Sequence, residues 1–295
     1  MESMPEAEAS FRMAANRRQA DEWSLVLSSQ GIENEIRALP EGFVICVNAA
    51  EEAAARSALD AYERENPGAS TPREQAVDRI GELDRFVGGS LAVLMLAFFV
   101  VTGPRHPDVV WFAEGSADAA RILAGELWRT VTALSLHADL NHVISNALFG
   151  ALFVSAVCAG LGPGVGIALT LVAGASGNLA NAIFQGPDHV SVGASTAVFG
   201  AVGLLAGRGV AQRLRRGELG LRIWVPLAAG LALIAMLGTG ERSDIWAHGF
   251  GFLAGSFLGV PASLANLERG GPRLQWAALV LALVLLVQSW RLGLG

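Results

Sequence analysis

From residue 86 to its C-terminal end the chain alternates apolar runs with short loops. This alternation limits the available folds more than any single motif. The runs cover about residues 86–101, 137–159, 165–184, 195–206, 223–237, 245–264 and 274–290. Gly103-Pro104, Gly160-Leu-Gly-Pro-Gly164 and Glu268-Arg-Gly-Gly-Pro-Arg273 punctuate them. Such runs read as membrane helices, because a lipid core leaves the backbone no hydrogen-bond partner outside its own helix. Charged residues make up only 16% of the chain, well below the roughly 25% of soluble domains. The expected fold is an all-α polytopic membrane protein with seven spans. Residues 105–133 are too long for a turn. Their mixture of Trp111, Phe112, Ile122, Leu127 and Trp128 with acids and arginines suits amphipathic segments at the membrane surface.

The first 85 residues differ. They carry 17 acids against 9 arginines, whereas residues 86–295 carry 10 acids against 12 arginines. Residues 1–16 read as frayed. A helix over 19–30 stopped by Gly31, strands over 32–39 and 43–47, and a helix over 49–66 capped by Asn48 follow. The expectation is a small cytoplasmic α+β module of order α-β-β-α over 1–66 and a linker over 67–85. A helical membrane domain over 86–265 and an extra C-terminal helix within 266–295 complete it. Without an apolar leader at the N-terminus, the first span is expected to direct insertion. Arg208, Arg213, Arg215, Arg216 and Arg222 crowd the loop after the fourth span, which places that loop in the cytoplasm. Counting outward puts the N-terminus inside and the C-terminus outside. Cys46 and Cys158 have no metal or disulfide spacing and read as buried apolar residues.

Three spans begin with polar groups: His137-Ala-Asp-Leu-Asn-His142-Val-Ile-Ser-Asn146, Gly193-Ala-Ser195, and Ala247-His248-Gly-Phe-Gly251 with Gly255 beyond. In the deduced topology all three begin on the outer side. Polar side chains are costly in lipid, so a shared interior site follows. Serine needs a base to become a nucleophile, and His248 is the candidate for Ser195. Gly251 and Gly255 form a small-residue face that lets two helices approach. His142 and Asn146, one turn apart, can donate to a developing oxyanion, as can the Ser195 N–H; His137 can brace the neighbouring loop.

Each residue also has a plainer reading. Ser195 alone suits a helix cap, His248 a satisfied interfacial histidine, and Asn146 a hydrogen bond between helices. Ser176, in Gly174-Ala-Ser-Gly-Asn178, imitates a nucleophile motif but lies inside the third span. Asp188-His189 imitates part of a triad, yet a loop histidine is usually solvated. Asp244 sits at an exposed span edge, so a Ser–His dyad without an orienting acid is the simpler arrangement. His137, Asp139, His142 and His189 lack a compact metal spacing, and no metal or cofactor is expected.

With these residues in hand, the chain resembles the rhomboid family of intramembrane serine proteases. Trp128-Arg129, His137-x4-His142-x3-Asn146, Gly193-x-Ser195 and Ala247-His248-x2-Gly251-x3-Gly255 carry the resemblance, in order, across about residues 86–265. It implies a rhomboid-like bundle of six spans plus a seventh. It also implies a Ser195–His248 dyad and an oxyanion hole from His142, Asn146 and the Ser195 backbone. The implied substrates are single-span membrane proteins in the lipid bilayer, cut where their helices are easily opened. Two positions depart from the pattern: Thr196 stands where the family often has glycine, and Phe199 where some members place tyrosine. The N-terminal module lies outside the resemblance, and its partner is unknown.

Two other functions compete. A rhomboid-like protein without catalysis would bind client transmembrane helices, but Ser195 and His248 are both present. A transporter would set its polar groups at midplane within inverted repeats, and no such repeat is evident. Nothing indicates nucleic acid. The missing leader and the absence of lysine suggest a bacterial inner membrane.

Overall fold

The computed structural model describes residues 8–14, 17–39, 42–66, 72–106, 108–218, 220–237, 244–267 and 270–295. The chain divides into two compact units, Met1–Arg79 and Ile80–Gly295.

The first unit runs β1 (Glu8–Ala14), α1 (Arg17–Ser29), β2 (Asn34–Leu39), β3 (Gly42–Asn48) and α2 (Glu52–Glu65). The order is therefore β-α-β-β-α, and the sheet has three antiparallel strands ordered β1-β3-β2. The expected α-β-β-α order misses β1, which falls in the stretch read as frayed. Its hydrogen bonds run to β3, far along the chain, so local pattern does not reveal them. Arg12 in β1 bonds Asp60 at 2.9 Å and Glu63 at 2.8 Å on α2 and lies 4.9 Å from the Trp23 ring centroid. Ala20, Trp23 and Leu27 of α1 share a core with Ile45, Val47, Ala55 and Leu59. Gly31 takes φ +75° at the stop of α1. Asn48 does not cap α2. Its Oδ1 accepts from Ala50 N in a turn that delays the helix to Glu52.

Helix α3 (Pro72–Thr102) starts ahead of the division at Arg79 and continues past it, so residues 72–85, expected as part of the linker 67–85, are helical. Pro72 sits where a helix tolerates proline. Then come α4 (Val110–Gly115), β4 (Ala117–Asp118), α5 (Ala119–Leu123), α6 (Arg129–Thr132) and a 3₁₀ turn at Ala133–Ser135. The long helices follow: α7 (Leu140–Leu161), α8 (Pro163–Gln185), α9 (Ser195–Arg215), α10 (Val225–Leu237), α11 (Ile245–Leu264) and α12 (Pro272–Leu294). Strand β5 (Val190–Ser191) precedes α9 and pairs with β4.

Helices α7, α8, α11 and α12 are long and apolar enough to cross a membrane, and Phe86–Thr102 and Gly220–Met236 are shorter apolar segments. Their outer faces expose Leu148, Leu152, Val172, Phe257 and Leu281, which suits lipid rather than water. Helix α9 is the hub, packed by α7, α8, α10 and α11. It extends through Arg215, beyond the apolar run 195–206, so Arg208, Arg213 and Arg215 lie on the helix and not in the loop expected for them. Helix α12 is the least buried of these four, with 11% of its apolar window buried, but both ends are fastened. Gln275 bonds Leu161 O and Val165 N at 3.0 Å each. Trp290 donates to Ser135 Oγ at 3.1 Å and meets Trp111 edge-on at 5.2 Å.

The segment expected to be amphipathic is instead folded around one buried cation. Arg129 is fully buried. It bonds Glu126 at 2.6 Å, Glu114 and Ala113 O at 3.1 Å each, and Ser116 O at 3.2 Å. Burial opposes ionisation of Glu126, but hydrogen bonds from Arg129 and Arg121 outweigh it and hold that carboxyl below its usual range. Replacing Arg129 with methionine would leave Glu114, Glu126 and the Ala113 carbonyl to Arg121 alone and the Ser116 carbonyl to the Asp118 N–H alone. The expected cost is about 3 kcal/mol, seen as a lower thermal midpoint of the detergent-solubilised protein. An unchanged midpoint would mean that water replaces the guanidinium.

Candidate active site

Ser195 opens α9, and Gly193 shapes the approach. Gly193 has φ +133°, which favours glycine, and its N–H donates to Ala133 O at 2.9 Å. A Cβ there would also lie 2.6 Å from His142 Cε1 and 2.7 Å from its Nε2. Conformation and space thus both demand glycine. The bend brings Ser195 Oγ to 2.9 Å from His248 Nε2.

His248 is buried in the first turns of α11. Phe199, one turn after Ser195, packs its ring 4.6 Å from the imidazole centroid. The spacing between α9 and α11 is set by glycines. A Cβ on Gly251 would strike the Thr196 carbonyl, one on Gly255 the Gly200 carbonyl, and one on Gly259 the Leu204 carbonyl. Gly203 and Gly207 answer from α9 against Phe252 and Ser256. Thr196 itself is buried, its methyl set between Gly177 and Gly251, so the residue after Ser195 fills a gap between three helices.

His142 and Asn146 lie on the other side of Gly193. Asp139 caps α7 by accepting from His142 N at 2.9 Å. The His142 ring takes Ala138 N–H at Nδ1, 3.4 Å away, which favours the tautomer with its proton on Nε2, facing Gly193. Asn146 Nδ2 is buried without a protein partner among the described residues. Buried donors normally have partners, so this one suits a ligand oxygen. His137 precedes α7 rather than opening it. Its ring meets His142 edge-on at 5.4 Å. Burial and then the neighbouring His142 push its pKa to about 3 against a weaker pull from the Ser135 backbone, so it stays neutral.

The other candidates fall elsewhere. Ser176 is exposed on α8, while its neighbours Gly174 and Gly177 pack that helix against α9 and α11. Trp128 and Arg129 belong to the folded segment between α3 and α7, with Trp128 beside Gly293 of α12. Among the described residues no three His, Cys, Asp or Glu side chains come together as a metal site. His189 is not simply solvated, and Asp244 is not at an open edge: they meet at 2.7 Å. Asn178 and Asn181 escaped the sequence reading. Asn178 donates to Thr130 O at 2.9 Å and, with Ala133, Gly193, Ser195, Asp244 and Ala247, lines a small cavity. Two asparagines three apart in an apolar helix were the signal that could have found them.

The family model for the Rhomboid domain matches residues 124–264, which contain His142, Asn146, Ser195 and His248. The chain is 28% identical over 188 residues to the protein named "Putative rhomboid protease YdcA" of Bacillus subtilis (strain 168), covering 64% of this chain and 92% of that protein. It is 29% identical over 199 residues to "Rhomboid protease GluP" of the same organism, covering 66% of this chain and 38% of that one. It is 32% identical over 145 residues to "Rhomboid-like protease 3" of Toxoplasma gondii, covering 49% and 55%. The chain thus spans nearly all of the first relative and about half or less of the other two.

Proposed function

This chain belongs to the rhomboid family and is an integral membrane protein, and from that premise we propose that it is an intramembrane serine protease working through a Ser195–His248 dyad. The observation that carries the reading is the 2.9 Å approach of Ser195 Oγ to His248 Nε2 inside a buried helix interface. His248 takes the Ser195 proton as Oγ attacks a substrate carbonyl. The oxyanion is met by Nε2–H of His142, Nδ2–H of Asn146 and the N–H of Ser195, which as the first helical residue has no intrahelical partner. His248 then returns the proton to the leaving amine, and water attacks the acyl-enzyme in a second cycle. The proposed substrates are single-span membrane proteins whose helices open near the membrane boundary. The proposed topology is six spans plus α12, with the N-terminus cytoplasmic, the C-terminus outside, and the protein in a bacterial inner membrane.

The test is fluorophosphonate labelling of the detergent-purified protein. We expect the wild type and Ser176→Ala to label, and Ser195→Ala and His248→Ala not to. A folded wild type that resists the probe while still binding transmembrane peptides would favour the alternative, a catalytically inactive rhomboid-like protein that recruits client helices.

A further inference from the structure

One carboxylate joins the two halves of the dyad from behind. Asp244 caps α11: its Oδ1 accepts from Ala247 N at 3.0 Å, and its carbonyl accepts from His248 N at 3.1 Å. Its Oδ2 lies 2.7 Å from His189 Nε2 and 2.6 Å from Asn181 Nδ2 on α8. Asn181 Nδ2 is also 3.2 Å from His189 Nε2, which closes the triangle. His189 stands at the start of the segment that leads to the nucleophile. Its own carbonyl accepts from Ala119 N at 2.9 Å, β5 follows and pairs with β4, and Gly193 and Ser195 come next. The side chains of His189 and Asp244 are 25% and 17% exposed, so water competes less for this hydrogen bond than for one on the open surface.

The proposed reaction uses none of these three side chains, yet each end of the junction sits within a few residues of a reacting group. The glycine contacts hold α9 and α11 at a fixed lateral distance. They do not fix the first turn of α11, where His248 sits, or the strand before Ser195. A helix end without its cap frays, and about 1 Å of misplacement can cost on the order of a hundredfold in rate. We infer that His189, Asn181 and Asp244 form a positioning latch that ties the cap of the His248 helix to the segment carrying Ser195. The three are positioning residues, since none touches a reacting atom. The inference rests on the protease reading.

The experiment measures the rate constant of fluorophosphonate reaction, the final labelled fraction and the thermal midpoint for the full chain in detergent. His189→Ala is expected to react about tenfold more slowly at an unchanged final fraction. His189→Gln, which keeps an amide donor near the position of Nε2, should react within about threefold of wild type. Asp244→Ala should lose at least as much as His189→Ala, and the double variant should be no slower than Asp244→Ala alone, as expected for partners in one junction. A merely structural role would lower the final fraction or the midpoint and leave the rate constant of the labelled protein untouched; that result overturns the latch. So would wild-type rates in both alanine variants, or losses that multiply in the double variant. A folded wild type that does not react overturns the protease reading itself and the latch with it.

Discussion

Alanine at Ser195 is expected to lower cleavage of a single-span substrate in proteoliposomes by at least about 10⁴-fold, and alanine at His248 by a similar factor. The two losses should not multiply. Without Ser195 there is no nucleophile for His248 to activate. Without His248 the hydroxyl 2.9 Å away keeps its proton and attacks weakly. The double variant should therefore match the worse single variant. Whatever rate remains comes from His142 and Asn146, which can still bind a carbonyl oxygen. Both variants keep the fold. Ser195 is the first residue of α9, so its loss leaves the intrahelical bonds intact, and the glycine contacts between α9 and α11 do not involve its side chain. Cleavage that survives Ser195→Ala, or losses that multiply, would show that the pair does not act as one unit.

How much of this was legible depended on how local each signal is. The apolar runs of α7, α8, α11 and α12 are read directly, because lipid solvation requires length and apolarity in one continuous stretch. The polar starts of three spans could be grouped before any coordinates, since polar residues at membrane depth need a shared interior. Contacts between loops were not legible. His189 and Asp244 lie 55 residues apart, in segments whose polarity reads as ordinary solvated loop, and only the fold brings them to 2.7 Å. Strand β1 needed β3, and the fully buried Arg129 needed carbonyls from residues 113 and 116. Asn178 and Asn181 stand out as letters in an apolar run, but their partners, the Thr130 carbonyl and Asp244, lie in other segments and give them no local signal. The end of α9 was misjudged for another reason. Its arginines stop the apolar run at a point where the helix itself continues.

The second large effect concerns Gly255. Glycine in a helix costs about 1 kcal/mol against alanine, so a chain that keeps glycine at 251, 255 and 259 on α11 and at 200, 203 and 207 on α9 needs a compensating contact. The contact is backbone against backbone. A Cβ at Gly255 would overlap the Gly200 carbonyl and sit 3.0 Å from Leu204 N, and neither group can swing away as a flexible side chain could. Leucine there must push α9 and α11 apart. Over-packing of this kind costs about 1–3 kcal/mol, and the separation is transmitted along rigid helices to Ser195 and His248, whose contact tolerates little. The expected result for Gly255→Leu is a fall of more than about a hundredfold in the fluorophosphonate rate together with a lower thermal midpoint. Gly249→Leu supplies the control. It lies on the same helix, one residue beyond His248, and a Cβ there meets nothing within 4 Å. Helix propensity favours leucine over glycine at that site and a Cβ finds open space there, so its midpoint should hold or rise and its rate should stay within a few-fold of wild type. Equal behaviour of the two variants would mean that the close approach of α9 and α11 does not set the dyad, and that the geometry of Ser195 and His248 is held from the loop side alone.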